Sequence, residues 1–141
     1  MASAISHAQL NAQLAQGTVA AVYAVVGEED LLRDMALDAL KTALLGEGEN
    51  DFNCDLFYGD DVSGTEIVTC ASEVAVFAAR RVVVVKATDK LPARECDAVL
   101  PYLKEPNDST VVIFIASKLD GRLKFTQALA VDSRRPQRPD I

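Results

Sequence analysis

The chain of 141 residues is 50% hydrophobic and 25% charged, with a net charge of −7, three Cys, one His and no Trp. That length suits one domain with a real core, and the apolar content excludes an intrinsically disordered chain. The charge is uneven: Met1–Glu66 holds twelve acidic residues against Arg33 and Lys41, while the remainder carries twelve basic against nine acidic, a balance that argues against autonomous wrapping of a phosphate backbone.

Taken in order, Ser6–Gln16 reads as a helix through Ala8, Leu10 and Leu14, with Gly17 as its stop. Val19–Val26 is an unbroken apolar strand, too short for the roughly 20 residues of a membrane span. No Lys or Arg precedes Arg33, so a cytoplasmic protein with neither a signal peptide nor a membrane partner is expected. Leu32, Met35, Ala36, Leu40 and Ala43 recur at helical spacing and predict a helix over Asp30–Leu45, closed by Gly46–Asn50.

Phe52–Tyr58 alternates as a shorter strand, and Ser63 with Glu66 has the spacing of a capping box opening a helix through Ile67, Cys70, Ala71 and Val74. Four consecutive valines within Arg80–Ala87, and the run TVVIFIA at Thr110–Ala116, predict strands covered on both faces. Between them a helix follows Pro92, which fits its first turn, and is expected to bend or stop near Pro101. A last helix is predicted over Gly121–Ala130, and Asp132–Ile141, polar with two prolines, reads as a disordered tail. Strands alternating with helices give an α/β fold, a parallel sheet sandwiched by helices.

Chemistry is sparse. A P-loop needs GxxxxGK followed by Ser or Thr, so that backbone amides and a Lys hold phosphate. The first strand–helix junction instead reads Gly27-Glu28-Glu29-Asp30, whose carboxylates cap the helix dipole and repel a triphosphate. The third strand ends Val85-Lys86-Ala87-Thr88-Asp89 without a paired acid for Mg²⁺. No cofactor, metal or intrinsic catalysis is expected. His7 stands alone and reads as a surface residue, and Asp60–Asp61 as turn chemistry. Cys54, Cys70 and Cys96, widely spaced with no CxxC, read as structural thiols. Glu28–Glu29, Asp89 and Lys118 superficially mimic the acidic pair, acceptor and Lys of a receiver domain. A helix before the first strand, Glu in place of Asp, and the long gap from Glu28 to Asp89 count against it.

The segment Ser72–Lys90 stands out. Val76 and Phe77 fit two descriptions: core residues leading into the strand, or an apolar knob at a helix–strand corner, available to a partner's pocket. Periodicity does not choose between them. The adjacent Arg80–Arg81 reads as a solvated rim, with a phosphate contact as the less favoured alternative.

VYAVVGEEDLL at Val22–Leu32, DFN at Asp51–Asn53, VFAARRVVVVK at Val76–Lys86, DKL at Asp89–Leu91, YLKEP at Tyr102–Pro106, STVVIFI at Ser109–Ile115 and KLDGRLK at Lys118–Lys124 together resemble the delta subunit of bacterial DNA polymerase III. The resemblance covers about residues 8–130. It implies a degenerate P-loop, AAA+-like domain without a Walker A motif, a non-catalytic subunit of a polymerase holoenzyme. Its implied partners are the sliding clamp (the beta subunit), other clamp-loader subunits in the full-length protein, and primed DNA indirectly. Its implied role is to bind and open the clamp, the contact residues being Val76 and Phe77 with Val74 flanking. Ser72 stands where many clamp-binding motifs carry Gln. Residues 1–131 are then expected to form the clamp-binding domain, with 132–141 atypical and the lid and collar domains absent. A receiver-like or other α/β ligand-binding signalling domain is the alternative.

Overall fold

The computed structural model describes residues 21–45, 54–73 and 81–134. The helix expected over Ser6–Gln16 lies outside them, as do His7 and Arg80.

Among the described residues the order is β1 (Val22–Val26), α1 (Asp30–Leu45), β2 (Cys54–Tyr58), α2 (Gly64–Ala71), β3 (Arg81–Lys86), a 3-10 turn (Thr88–Lys90), α3 (Ala93–Lys104), β4 (Thr110–Ala116) and α4 (Lys124–Arg134). The four strands form one parallel sheet in the order β1-β4-β3-β2. The register sets Val82 beside Val111, Val83 beside Val112 and Val84 beside Ile113. β4 is buried along its whole length and β3 along all but Lys86, as continuous β-branched runs require. Each such valine contributes about 1.5–3 kcal/mol relative to an exposed one.

Two cores follow from the two-residue period of the strands. On one face Tyr23, Val82, Val84, Val111, Ile113 and Ile115 pack against Ala36, Leu37, Leu40 and Leu44 of α1. On the other, Val22, Ala24, Val83, Val85, Val112 and Phe114 meet α2, α3 and α4. There Phe125 of α4 stands edge-on to Phe114, ring centroids 5.1 Å apart. α1 therefore carries the chain across one face, and the later helices return it across the other. Leu32 and Met35, counted in the helical apolar pattern, are exposed. The buried face of α1 runs through Ala36, Leu37, Leu40 and Leu44, and at helical spacing Leu32 falls beside that face and Met35 opposite it.

The capping box of α2 is formed: Ser63 Oγ accepts from the Glu66 amide, and Glu66 Oε1 accepts from the Ser63 amide, each at 3.0 Å. A further first-turn amide, that of Gly64, donates to Glu95 Oε1 at 2.8 Å. This bond and Arg94 hold the Glu95 carboxyl below its ordinary value. The contact needs glycine, because a Cβ at Gly64 would lie 2.2 Å from the Glu95 carbonyl oxygen.

Other boundaries depart from the sequence pattern. α3 runs past Pro101 to Lys104. Pro101 and Asp97, whose carbonyl loses its partner, both face solvent, so the proline is tolerated. Pro92 is the N-cap, one position outside the first turn. α4 begins at Lys124 rather than Gly121 because Asp120 caps a turn, its carboxylate accepting from the Arg122 amide at 2.9 Å. It extends to Arg134, into the stretch read as tail. Ala87 sits at φ 53, ψ 43, a left-handed conformation that favours glycine.

Gly64→Ala is expected to lower stability by about 1–3 kcal/mol through overpacking. Ala87→Gly is expected to raise it by up to about 1 kcal/mol by relieving the left-handed Cβ. Urea midpoints, with unchanged slope, check both.

Candidate functional site

Two places on the sheet could carry function. At its carboxyl end, a cleft of about 550 Å³ is lined by Asp30, Arg33 and Asp34 of α1, by Lys86, Ala87, Asp89 and Lys90, and by Ile115–Ser117. It lies where the chain reverses direction between β1 and β4, the usual ligand position of open parallel sheets. Its charges are balanced, three carboxylates against three cations. Arg33 is committed within the chain: its guanidinium donates to the Gly27 carbonyl and pairs with Asp30. Glu28, Glu29 and Asp30 are exposed at the start of α1. A phosphate here would meet carboxylates at a helix end that otherwise favours anions.

A second cleft of about 320 Å³ is floored by Leu91, Cys96, Leu119, Leu123 and Phe125 and rimmed by Asp89, Lys118 and Asp120. Asp120 is ion-paired with Arg122 at 3.0 Å, and this guanidinium holds its carboxyl below the ordinary value. Asp60 and Asp61 lie exposed in a turn closed by the Asp61 amide on the Tyr58 carbonyl at 3.0 Å. Among the described residues, no group of three or more His, Cys, Asp or Glu is placed to hold a metal ion.

At the amino end of the sheet lies a polar cluster that the sequence pattern missed. Arg81, read there as solvated rim, is 9% exposed. Its guanidinium pairs with Asp55 of β2 and with Glu73, just past α2, the latter at 3.3 Å. The position accounts for the difference: Arg81 opens a strand buried on both faces, beneath the carboxyl end of α2, where a cation suits the helix dipole. Asp55 also accepts from the Cys70 thiol at 3.2 Å. Arg80, the other half of the pair, lies outside the described residues. The alternation of β2 placed Asp55 on the face opposite Cys54 and Leu56, and a lone carboxylate there was the signal for a buried cation.

The turn before β4 touches the same corner. Asn107 Nδ2 donates to the Ala71 carbonyl at 3.4 Å, at the end of α2. The Arg81 amide donates to the Ser109 carbonyl at 2.8 Å. Asn107 Oδ1 in turn accepts from the Ser109 amide and hydroxyl at 3.1 and 3.0 Å. Glu73 and Arg81, the residues on either side of segment 74–80, meet at this corner. Val74, Val76 and Phe77 belong to that segment and lie outside the described residues.

The model of the family described as "DNA polymerase III, delta subunit" matches residues 23–135. The chain belongs to this family. A search of curated proteins found no match. Among solved structures the fold is similar to the Bacillus subtilis DNA clamp loader delta protein, with a TM-score of 0.80 and 24% identity over 90% of this chain. It is also similar to a DNA polymerase III gamma subunit-related protein from Thermotoga maritima, with a TM-score of 0.62 and 14% identity over 79% of this chain. The chain spans about 40% of the length of the Bacillus protein and 39% of the Thermotoga one. The α/β fold expected for a delta-subunit domain is thus the one observed.

Cys70 and Cys96 are buried, as structural thiols should be, while Cys54 is partly buried. Burial, then Asp55, pushes Cys70 up to about 11, with Arg81 opposing. Burial, then Asp97, pushes Cys96 up to about 11. Both thiols are expected to resist iodoacetamide at pH 8 in the folded chain and to react in urea, read by mass spectrometry. The folded chain holds these protons where the unfolded chain releases them. The two thiols should therefore favour folding below about pH 9, and lose that contribution as pH rises towards 11.

Proposed function

We propose that this chain is the clamp-binding domain of a clamp-loader delta subunit, which binds the ring-shaped sliding clamp and helps to open it. The observation that carries this reading is the delta-subunit family match over residues 23–135, which spans the segment holding Val74, Val76 and Phe77. Phe77 is the proposed anchor, with Val76 beside it and Val74 flanking. An aromatic side chain seated in a partner's pocket can supply 2 kcal/mol or more of binding energy (about that order for interface anchors). Opening a ring then needs no covalent chemistry from this chain. It needs tighter binding to the open clamp than to the closed one, and that difference shifts the equilibrium.

Assembly with other loader subunits, indirect contact with primed DNA and a cytoplasmic setting belong to the same proposal. So does the absence of ATP hydrolysis. The carboxylates at the start of α1 and the internally paired Arg33 support it, since both oppose the cradle a triphosphate needs. No described helix is long and apolar enough to cross a membrane.

The receiver-like alternative fares worse on sheet order. Receiver domains follow the order 2-1-3-4-5, whereas β1 here neighbours β4 and β2 lies at the far edge.

The test is calorimetric titration of the chain and of Phe77→Ala with the sliding clamp of the same organism, both first matched by circular dichroism. At least tenfold weaker binding by a folded Phe77→Ala is expected. A folded wild-type chain that does not bind the clamp would overturn the reading.

A further inference from the structure

The solvent side of α1 carries an apolar ridge. Leu31, Leu32 and Met35 are 68%, 54% and 43% exposed. At about 3.6 residues per turn, Leu31 and Met35 stand one turn apart on the side opposite Ala36, Leu37 and Leu40, with Leu32 beside them. Scattered apolar residues are ordinary on a surface, but neighbouring ones rimmed by charge mark a place where another molecule packs. The rim here has one sign. Glu28, Glu29 and Asp30 lie exposed at the amino end of the ridge, and Asp34 and Asp38 lie exposed along one flank.

The helix dipole accounts for the first three carboxylates only, since its effect fades beyond the first turn. Asp30, Asp34 and Asp38 recur at every fourth residue, so neighbours in this column repel each other and oppose the helix that carries them. Arg33 pairs with Asp30. Among the described residues no salt bridge reaches Glu28, Glu29, Asp34 or Asp38.

We infer that this side of α1 is a docking surface for a partner protein that presents a basic amphipathic helix. The partner's apolar side chains would meet Leu31, Leu32 and Met35, and its Lys or Arg would meet Asp34 and Asp38. Charge complementarity selects this occupant: cations offset the repulsion along the column and steer the encounter. A phosphate backbone or an anionic lipid surface would add to the repulsion instead. Two helices laid side by side bury such a ridge by seating it in a groove of the other. The rest of this chain does not supply the matching chemistry. Residues 1–20 and 46–53 hold no Lys or Arg, and residues 74–80 hold one, next to Arg81 in sequence. Residues 135–141 follow α4, which packs on the other face of the sheet.

The test is fluorescence anisotropy with a labelled peptide of about five helical turns, built from Leu and Lys with Leu at helical spacing. A control of the same composition has its Leu positions scrambled, so that it forms no apolar face. The whole chain is compared with Leu31→Gln/Met35→Gln and with Asp34→Asn/Asp38→Asn, substitutions between residues of similar helix propensity. The amphipathic peptide is expected to bind the wild-type chain at least tenfold more tightly than the scrambled one. Leu31→Gln/Met35→Gln is expected to weaken it at least tenfold. Asp34→Asn/Asp38→Asn is expected to weaken it about fivefold and to flatten its salt dependence. Urea midpoints are expected to stay unchanged in the first variant and to stay unchanged or rise in the second.

No binding of the amphipathic peptide, equal binding of the two peptides, or undiminished binding by either variant overturns the proposal. A fall in the urea midpoint of either variant shows that the chain itself occupies this side of α1, and overturns it as well. None of these outcomes involves Phe77, so the clamp-binding reading stands or falls separately.

Discussion

The pairing of β3 with β4 sets the terms for the rest of the molecule. Both strands present large apolar side chains to both faces, Val82–Val85 on one and Val111–Ala116 on the other. Neither can lie at a sheet edge or on an open face without exposing several of them to water. They therefore occupy the middle of the sheet, with β1 and β2 on their outer sides and helices on both faces. The helices arrive by different routes, yet each fills the same requirement. Among the described residues, α1 covers one face through Ala36, Leu37, Leu40 and Leu44, while α2, α3 and α4 share the other.

A sheet built this way has two ends of different character. At the carboxyl end the strand termini and the start of α1 leave a cleft, the place where related architectures hold anions. Here the first turn of α1 carries carboxylates, and the nearby cation Arg33 is turned inward onto Asp30 and the Gly27 carbonyl. At the amino end, polar groups draw the chain together instead: Asp55, Cys70, Glu73, Arg81 and Asn107 converge from β2, α2, β3 and the turn before β4. One end holds a cleft of balanced charge, and the other gathers its polar groups about the buried Arg81.

Close packing of α2 beside α3 also depends on small residues. Gly64 lets its amide reach Glu95, and Gly59 lies where a Cβ would fall 2.1 Å from the Ala87 carbonyl oxygen. Ala87 adopts a left-handed conformation immediately after β3, at the lip of the carboxyl-end cleft. The β2–α2 connection and the β3–α3 connection are thus fitted to each other with almost no space between their backbones.

Much of this was legible in the amino-acid sequence wherever local chemistry decides the outcome. Runs of β-branched residues can be satisfied only by two-sided burial, so Val82–Val85 and TVVIFIA announced central strands. Ser63 and Glu66 announced a capping box because its bonds span three residues and need nothing distant. The carboxylates after Val26 announced the acidic start of α1 in the same way. Arg81 could not be placed from sequence, since its solvation depends on Asp55 and Glu73, brought together only when β2 and α2 pack beside β3. The end of α3 near Pro101 was open for a like reason: whether a proline ends a helix depends on whether the freed carbonyl faces solvent. Leu32 and Met35 followed helical spacing yet stayed outside, because several 3- and 4-residue spacings overlap in α1 and only packing selects the face of Ala36, Leu37, Leu40 and Leu44. The sequence by itself determined the elements, the parallel α/β class and the family resemblance, all consequences of short-range pattern. Only the tertiary structure decided the strand order, the burial of Arg81 and the joining of Glu73, Arg81 and Asn107 at one corner, because those depend on contacts between residues far apart in the chain.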